Sequence, residues 1–156
     1  MSLRARHSVI VEVGSASQSA VDLTSASIRG QDCGTGVEVV ECTAGLDPVS
    51  ALNDGLRRAT GELVSFVHAG DVLDGRALSA IDEYLASHAD ADFVYTDEDR
   101  LVGGVMSKTF YKPDWSPDRM RCQMYTGRLG AVRRSLLDEV GGFDPALVGA
   151  LRPTTG

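Results

Sequence analysis

GELVSFVHAGDVL, residues 61–73, is the segment that decides the fold of this chain. Four of the five residues 63–67 are apolar, which is typical of a strand covered on both faces. Helix patterns stand on either side of it, and the strand ends in a polar turn at His68–Asp71. In open α/β sheets, ligands bind beyond the carboxyl ends of the strands, so a functional site is expected at this turn.

The rest of the chain alternates strand patterns with helix patterns. Further strands are predicted at residues 8–13, 37–40, 93–95 and 129–132. Helices are predicted to begin at Ser17 or Ser19, at Asp47-Pro48 and at Asp74, with short ones at 118–125 and 135–140. Gly103-Gly104 predicts a small hairpin. The alternation predicts an α/β fold with a mainly parallel sheet, helices on both faces, and one domain over residues 1–156.

Charge limits the classes of partner. The formal net charge of −7 argues against nucleic acid as the main partner. Residues 1–100 carry 17 acidic and 7 basic side chains, whereas residues 101–156 carry 5 acidic and 8 basic ones. The positive excess in the last part is compatible with an anionic ligand or a lipid headgroup, and equally with an ordinary solvated surface.

Cysteine content and hydropathy bear on the compartment. Cys33, Cys42 and Cys122 form no C-x-x-C pair, and an odd number does not indicate a disulfide framework. No apolar run approaches the roughly 18 residues of a transmembrane helix, and no signal-peptide pattern follows Met1. We therefore expect a cytoplasmic protein without a transmembrane segment.

Two groups of polar residues follow predicted strands. His68 and Asp71 are either metal ligands or residues of a hydrogen-bonded turn. Asp97, Glu98 and Asp99 come directly after the strand at 93–95. Because strand side chains alternate, Asp97 and Asp99 are expected to share a face, where they would bind a metal or sugar hydroxyls, or form a solvated acidic turn.

Eight short motifs, taken together, are more specific than any of them alone. They are SIRGQ at 27–31 followed by VEVV at 37–40, ALNDGL at 51–56, ATGE at 59–62, DVL at 71–73, YTDED at 95–99, YKPDWSPD at 111–118, RRSLL at 133–137 and GGFD at 141–144. In this order and spacing they resemble the family-2 glycosyltransferases, particularly the bacterial branch that builds surface polysaccharides. The resemblance is strongest over residues 48–145.

The resemblance implies a fold, a reaction and a set of partners. The fold would be that of the nucleotide-diphospho-sugar transferases, a GT-A-like three-layer α/β/α with a mainly parallel sheet and a shortened C-terminal part. The reaction would transfer a sugar from a nucleoside diphosphate sugar to a saccharide or lipid-linked acceptor. A divalent metal, Mg²⁺ or Mn²⁺, would neutralise the diphosphate. The location would be cytoplasmic, with the inner face of the membrane as a second expectation.

The resemblance also assigns residues to roles. The catalytic carboxylates would be Asp97, Glu98 and Asp99, and the metal ligands would be Asp71 and His68. The residues that bind the nucleotide sugar would be Asn53, Asp71, Trp115 and Arg133. The residues by themselves leave other roles open. Trp115 also fits an anchor of its own loop, Arg133 a surface position at a helix start, and Asn53 a turn or helix contact.

The chain departs from the family pattern at its charged positions. The metal motif of the family reads D-x-D-D where this chain has His68-Ala69-Gly70-Asp71, and histidine is a poor ligand for magnesium. Residues 145–156 contain no carboxylate where the family has its catalytic base. Two hypotheses follow: an active glycosyltransferase, or a non-catalytic domain that keeps the fold and binds a sugar, a nucleotide or a partner protein. A homo-oligomer that covers an open sheet edge is a third idea.

Overall fold

The computed structural model describes residues 6–34, 36–42 and 45–147. Its strands are β1 (His7–Glu12), β2 (Val37–Glu41), β3 (Leu63–His68), β4 (Phe93–Tyr95), β5 (Glu98–Val102), β6 (Val105–Phe110) and β7 (Gly130–Arg133). Five of them form one sheet in the order β2-β1-β3-β7-β4, and β5 and β6 form a separate hairpin. The predicted domain also includes residues 148–156, which lie outside the described residues.

The sheet is mainly parallel, as predicted. β1 pairs in parallel with β2 on one side and with β3 on the other. β7 runs antiparallel to both of its neighbours, β3 and β4. β3 is therefore an interior strand, and five of its six residues are buried or nearly so on a sheet covered from both sides.

The helices begin where local signals place them, with one exception. They are α1 (Gln18–Arg29), α2 (Pro48–Arg58), α3 (Ala77–Ser87), α4 (Pro117–Cys122) and α5 (Arg134–Val140), and a 3₁₀ turn follows at Pro145–Leu147. Ser17 and Asp47 cap α1 and α2 through their side-chain oxygens, as expected. The predicted start at Asp74 is wrong, because the Asp74 carboxylate accepts the N–H of Arg76 in a turn and α3 begins only at Ala77.

Two hydrophobic clusters hold the helices against the two faces of the sheet. One cluster joins α1 and α3 to the sheet and includes Ile28, Leu78 and Ile81. The other joins α2 and α5 to the opposite face and includes Leu56 and Leu137. The predicted three-layer α/β/α arrangement is thereby confirmed.

The hairpin at Gly103-Gly104 is also confirmed. Both glycines have positive φ, 57° and 81°, as a two-residue hairpin turn of type I′ requires at its two central positions. The hairpin leaves apolar side chains in solvent: Leu101, Val102, Val105 and Met106 are 57–69% exposed. In the part of the chain that has been described, no helix combines the length and apolarity needed to cross a bilayer.

Gly61 gives a first test of the packing around β3. A Cβ at this position would lie 2.7 Å from the backbone nitrogen of Ser8 on β1, which cannot give way without moving a core strand. We expect Gly61→Ala to lower the free energy of unfolding by about 1–3 kcal/mol in chemical denaturation. Gly75→Ala is the matched control, because a Cβ there meets nothing within 4 Å, and equal losses in the two variants would contradict this packing.

His7 gives a pH-dependent test. Its side chain is fully buried, and Nε2 lies 3.0 Å from Oδ1 of Asp82. Burial lowers the pKa of His7 below its ordinary 6.5, and the Asp82 carboxylate opposes this only in part. The unfolded chain therefore binds a proton that the native state does not, and stability should fall as pH drops below 6.5. In His7→Gln the loss between about pH 7 and about pH 5 should be smaller, and the same pH dependence in both proteins would refute this role.

Candidate functional site

A cleft opens at the carboxyl end of β3, where the sequence predicts a site. Its volume is about 1610 Å³, and it lies between the start of α3, the hairpin and the segment before β7. It is lined mainly by residues 70–77, 96–101, 108–110 and 128–129. Ionisable side chains of both signs therefore meet around one space at the sheet edge.

Asp71 faces a cation in this cleft. Nη1 of Arg128 lies 3.1 Å from Oδ1 and 3.0 Å from Oδ2 of Asp71, and the N–H of His68 donates to Oδ2 at 2.9 Å. The Asp71 side chain is 30% exposed and that of Arg128 is 48% exposed. Both carboxylate oxygens of Asp71 are thus engaged by groups of this chain.

His68 points to a different partner. Its Nε2 lies 2.8 Å from Oε2 of Glu12, at the end of the neighbouring strand β1. The two residues predicted as metal ligands, His68 and Asp71, are therefore each paired with another charged side chain.

The surroundings of Asp71 and His68 decide whether these residues could hold a divalent metal. Within the described ranges, no three histidine, cysteine or carboxylate side chains are grouped so that they could hold a metal ion. A cation bound at Asp71 would also stand beside the positive charge of Arg128 and be repelled by it. The predicted ligands, as they are paired here, do not fit a divalent metal.

The three predicted catalytic carboxylates have different surroundings. Asp97 is exposed and accepts the backbone N–H of Lys112 at 2.7 Å. Glu98, the first residue of β5, accepts the ammonium of Lys112 at 3.0 Å and the backbone N–H of Arg128 at 3.1 Å. Asp99 is exposed, and its carboxylate has no hydrogen bond or ion pair to any group that the structure describes. All three line the cleft, with Asp99 the least engaged.

Glu98 is held ionised by its partners. Burial by itself raises the pKa of Glu98, but the N–H of Arg128 and the ammonium of Lys112 outweigh burial and lower that pKa below its ordinary value. A carboxylate stabilised in this way is a weaker base than an unengaged one. Within the acidic cluster, the geometry therefore favours Asp97 and Asp99 over Glu98 for accepting a proton.

Lys112 is a residue whose importance was missed at the level of sequence. Its side chain is only 1% exposed, and Nζ donates to Glu98 and, at 2.7 Å, to the carbonyl of Thr126. Gly127 allows this approach: its φ is +62°, and a Cβ there would collide with the Glu98 carboxylate and lie 2.8 Å from Nζ of Lys112. A lysine followed by proline in a loop carries no sequence signal of burial.

Arg128 is the second residue that was missed. Its partner Asp71 is 57 positions away in the chain, so no local pattern links the two. The residue after it, Leu129, has a φ of +39°, which is unusual for a branched side chain. The segment 127–129 is thus held in an uncommon backbone conformation beside the cleft.

Asn53 lies away from the cleft. Its amide nitrogen donates to the carbonyl of Phe143 at 2.8 Å, and its amide oxygen accepts the N–H of Phe143 at 2.9 Å. The pair ties α2 to the segment after α5, on the opposite face of the sheet from α1 and α3. This matches the helix-contact alternative for Asn53.

Arg133 also lies away from the cleft. It pairs in register with Leu63, the first residue of β3, whereas the cleft lies at the other end of this strand, from Val67 onward. At about 3.3 Å per residue, the two ends of β3 are about 16 Å apart. Arg133 binds the carbonyls of Ala91 at 2.9 Å and Ala89 at 3.1 Å instead.

Trp115 stands on the loop before α4 and is 55% exposed. The loop is fixed on either side of it. Tyr95 donates its hydroxyl to the carbonyl of Pro113 at 2.6 Å, and the N–H of Ser116 donates to the hydroxyl of Tyr125 at 2.8 Å. The indole ring is therefore presented to solvent by a held loop and does not line the cleft.

Two curated proteins are similar to this chain in sequence, and no family model matches it. The O-antigen biosynthesis protein RfbC of Myxococcus xanthus is 35% identical over 115 residues, which is 73% of this chain. The uncharacterized protein y4gI of Sinorhizobium fredii is 35% identical over 101 residues, or 64% of this chain. The chain spans only 9% and 11% of the lengths of these two relatives.

Solved structures share the fold. S. aureus TarS, residues 1–349, in complex with UDP, superposes with a TM-score of 0.68 at 18% identity, covering 93% of this chain and 52% of that one. The mannosyltransferase PcManGT of Pyrobaculum calidifontis, in complex with GDP-Man and Mn²⁺, gives a TM-score of 0.61 at 20% identity, covering 92% and 48%. TarS residues 1–349 are also known with UDP-GlcNAc, at a TM-score of 0.65. The fold is thus the GT-A type of glycosyltransferases, and this chain covers about half of each of those chains.

The ion pair between the buried Lys112 and the partly exposed Glu98 yields a stability prediction. Lys112→Met removes the ammonium that Glu98 and the Thr126 carbonyl share. We expect a loss of about 1–3 kcal/mol in the free energy of unfolding, because Glu98 is only partly able to regain water.

The control for this measurement is Lys108→Met, which replaces an exposed lysine of the hairpin. Chemical denaturation of this variant should give a change within about 0.5 kcal/mol. Similar values for the two variants would show that the Glu98–Lys112 pair contributes nothing to folding.

Proposed function

We propose that this chain, which is related to the family-2 glycosyltransferases of surface-polysaccharide synthesis and has their GT-A-type fold, binds a nucleoside diphosphate sugar in the cleft beyond β3. One observation carries the proposal. The cleft lies at the carboxyl edge of the parallel strands, where α/β sheets bind their ligands. Solved structures that share the fold contain such ligands: TarS holds UDP or UDP-GlcNAc, and PcManGT holds GDP-Man.

The chemistry of the lining supports the same ligand class. The cleft of about 1610 Å³ exceeds the about 300–1,000 Å³ usual for small-molecule pockets, which leaves room for an acceptor as well. Arg100, Lys108 and Arg128 offer cations for a diphosphate. Asp97 and Asp99 offer acceptors for sugar hydroxyls.

Sugar transfer is the reaction that we propose for this cleft. An acceptor hydroxyl would attack the anomeric carbon of the donor. The bond from that carbon to the diphosphate oxygen would break, and its electron pair would leave with the nucleoside diphosphate. A carboxylate must take the proton of the hydroxyl, and we propose Asp99 or Asp97 for this role because Glu98 is committed to Lys112.

The acceptor is proposed to be a saccharide or a lipid-linked saccharide. Leu101 and Met106, at the apolar end of the hairpin, line the cleft and are 57% and 69% exposed, which suits a lipid-linked molecule. Trp115 is retained as a ring on which a sugar could stack. Asn53 and Arg133 are not retained, because both are engaged elsewhere in the fold.

The cellular setting follows from the same proposal. The three cysteines are free, which suits a reducing compartment. We propose the cytoplasm, with the inner membrane face as the place where a lipid-linked acceptor would be met. A homo-oligomer joined through the edge strands β2 or β4 stays a prediction.

A non-catalytic binding domain is the second candidate. It is favoured by the pairing of Asp71 with Arg128 and of His68 with Glu12, because these contacts engage the residues that the resemblance assigns to a metal. The two candidates share the binding step and differ in whether the sugar is transferred.

Calorimetric titration with UDP, GDP and dTDP, each with and without Mn²⁺ or Mg²⁺, tests the binding step. We expect one of the three to bind with a Kd in the micromolar range, since a cleft with cations offers charge-assisted bonds to the diphosphate. The corresponding nucleosides, which lack phosphate, are the control and should bind much more weakly. Failure of all three diphosphates to bind to the folded protein would refute the proposed function.

Release of nucleotide from the matching nucleotide sugar separates the two candidates. Release that requires a saccharide acceptor and is lowered at least about tenfold in Asp99→Asn would support transfer. Binding of the nucleotide without any release would support the non-catalytic candidate.

A further inference from the structure

We infer that Arg128, and not a divalent cation, is the group of this chain that neutralises the diphosphate of a bound nucleotide. This inference rests on the proposed function. The resemblance predicts a metal at Asp71 and His68, but in the structure these two side chains are paired with Arg128 and Glu12. A metal at Asp71 would need this carboxylate to leave a guanidinium that already contacts both of its oxygens.

The contacts of Arg128 leave most of its donors available. Only Nη1 is bonded to Asp71. Within residues 6–34, 36–42 and 45–147, Nε and Nη2 of Arg128 have no hydrogen-bond acceptor. The side chain is 48% exposed and lines the cleft. The guanidinium can therefore keep its contact with Asp71 and still present two donor groups to phosphate oxygens, in the planar geometry that suits them.

The backbone of Arg128 is held in place by a hydrogen bond to Glu98. Its N–H donates to Glu98, whose carboxylate is held by the buried Lys112. On its two sides, Gly127 and Leu129 have φ values of +62° and +39°. Leucine rarely adopts a positive φ, so this backbone conformation persists only because its surroundings impose it. The result is an arginine whose side chain starts from a defined point opposite Asp71.

The cleft contains further cations beside its carboxylates, which are Asp71, Asp74, Asp97, Glu98 and Asp99. A nucleoside diphosphate carries more negative charge than one guanidinium can offset. Arg100 and Lys108 also line the cleft, and neither has an ion-pair partner in the described part of the chain. Together with Arg128 they provide three positive charges that belong to the protein itself.

Asp71 acts in this arrangement as the counter-ion that orients Arg128. This role differs from that of a metal ligand in a way that substitutions can separate. Asp71→Asn and Arg128→Ala both break the same ion pair. If the pair were only structural, the two variants would affect nucleotide binding alike. If Arg128 binds the diphosphate, Arg128→Ala should weaken nucleotide binding and Asp71→Asn should not.

The experiment is calorimetric titration of UDP, GDP and dTDP into the wild-type chain in EDTA and in Mn²⁺ or Mg²⁺. The same titrations are made with Arg128→Ala, Arg128→Lys and Asp71→Asn. Arg57→Ala is the matched control, because Arg57 is also an exposed arginine paired with an aspartate, 3.2 Å from Asp54, but on α2 outside the cleft. Thermal unfolding of each variant checks that it is folded.

We expect the Kd of the wild type in EDTA to lie within about twofold of its value with metal. Arg128→Ala should weaken binding about 10- to 100-fold, through the loss of charge-assisted bonds. Arg128→Lys should fall between, since it keeps the charge and loses the planar fork. Asp71→Asn should bind as well as the wild type or more tightly, and Arg57→Ala should be unchanged.

Two results would overturn the inference, and they have different meanings. Binding that needs Mn²⁺ or Mg²⁺ and is lost in Asp71→Asn would restore Asp71 as a metal ligand and leave the proposed function standing. The comparison of wild type in EDTA and in metal decides this even if Arg128→Ala does not fold. No binding of any of the three diphosphates by the folded wild type, with or without metal, would remove the proposed function and this inference with it.

Discussion

The parallel pairing of β1 with β3 is the constraint on which the rest of the structure depends. The two strands are in register over six residues, from His7 opposite Leu63 to Glu12 opposite His68. Both are covered on both faces by helices, so a shift by one residue would turn every core side chain to the wrong face. The register also brings the ends of both strands to one level, which is why His68 meets Glu12 and why the polar turn after β3 opens on a common cleft.

The directions of the strands explain why Arg133 lies away from the cleft. The sequence pattern around 129–132 predicts a strand correctly but carries no information on its direction. Because β7 runs antiparallel to β3, its last residue, Arg133, lies beside the first residue of β3. In a parallel strand the same arginine would have ended at the cleft edge. The antiparallel direction instead puts the beginning of β7 there, together with Arg128 and Leu129.

Local signals were readable from the sequence, and long-range charge pairing was not. Ser17, Asp47-Pro48 and Gly103-Gly104 act on backbone groups within three residues, so their effect can be predicted from neighbours alone. Asp74 failed because two local uses competed, and the turn prevailed over the helix cap. The pairs Asp71–Arg128 and Glu98–Lys112 join residues 57 and 14 positions apart, and only the packed fold determines that they meet.

A tethered guanidinium and an exchangeable metal ion solve the same electrostatic problem with different requirements. A divalent ion brings two charges to one point, but at a phosphate site it still needs one or two carboxylates that are free to bind it. A guanidinium brings one charge, needs no ligands, and remains in place through the backbone that carries it. A cleft whose described residues form no metal-binding group can have affinity for a diphosphate through fixed cations around it. Arg100, Lys108 and Arg128 line this cleft. The buried Lys112 pairs with Glu98, and the Glu98 carboxylate in turn accepts the backbone N–H of Arg128. The hairpin and the segment before β7 thus both supply positive charge to the cleft.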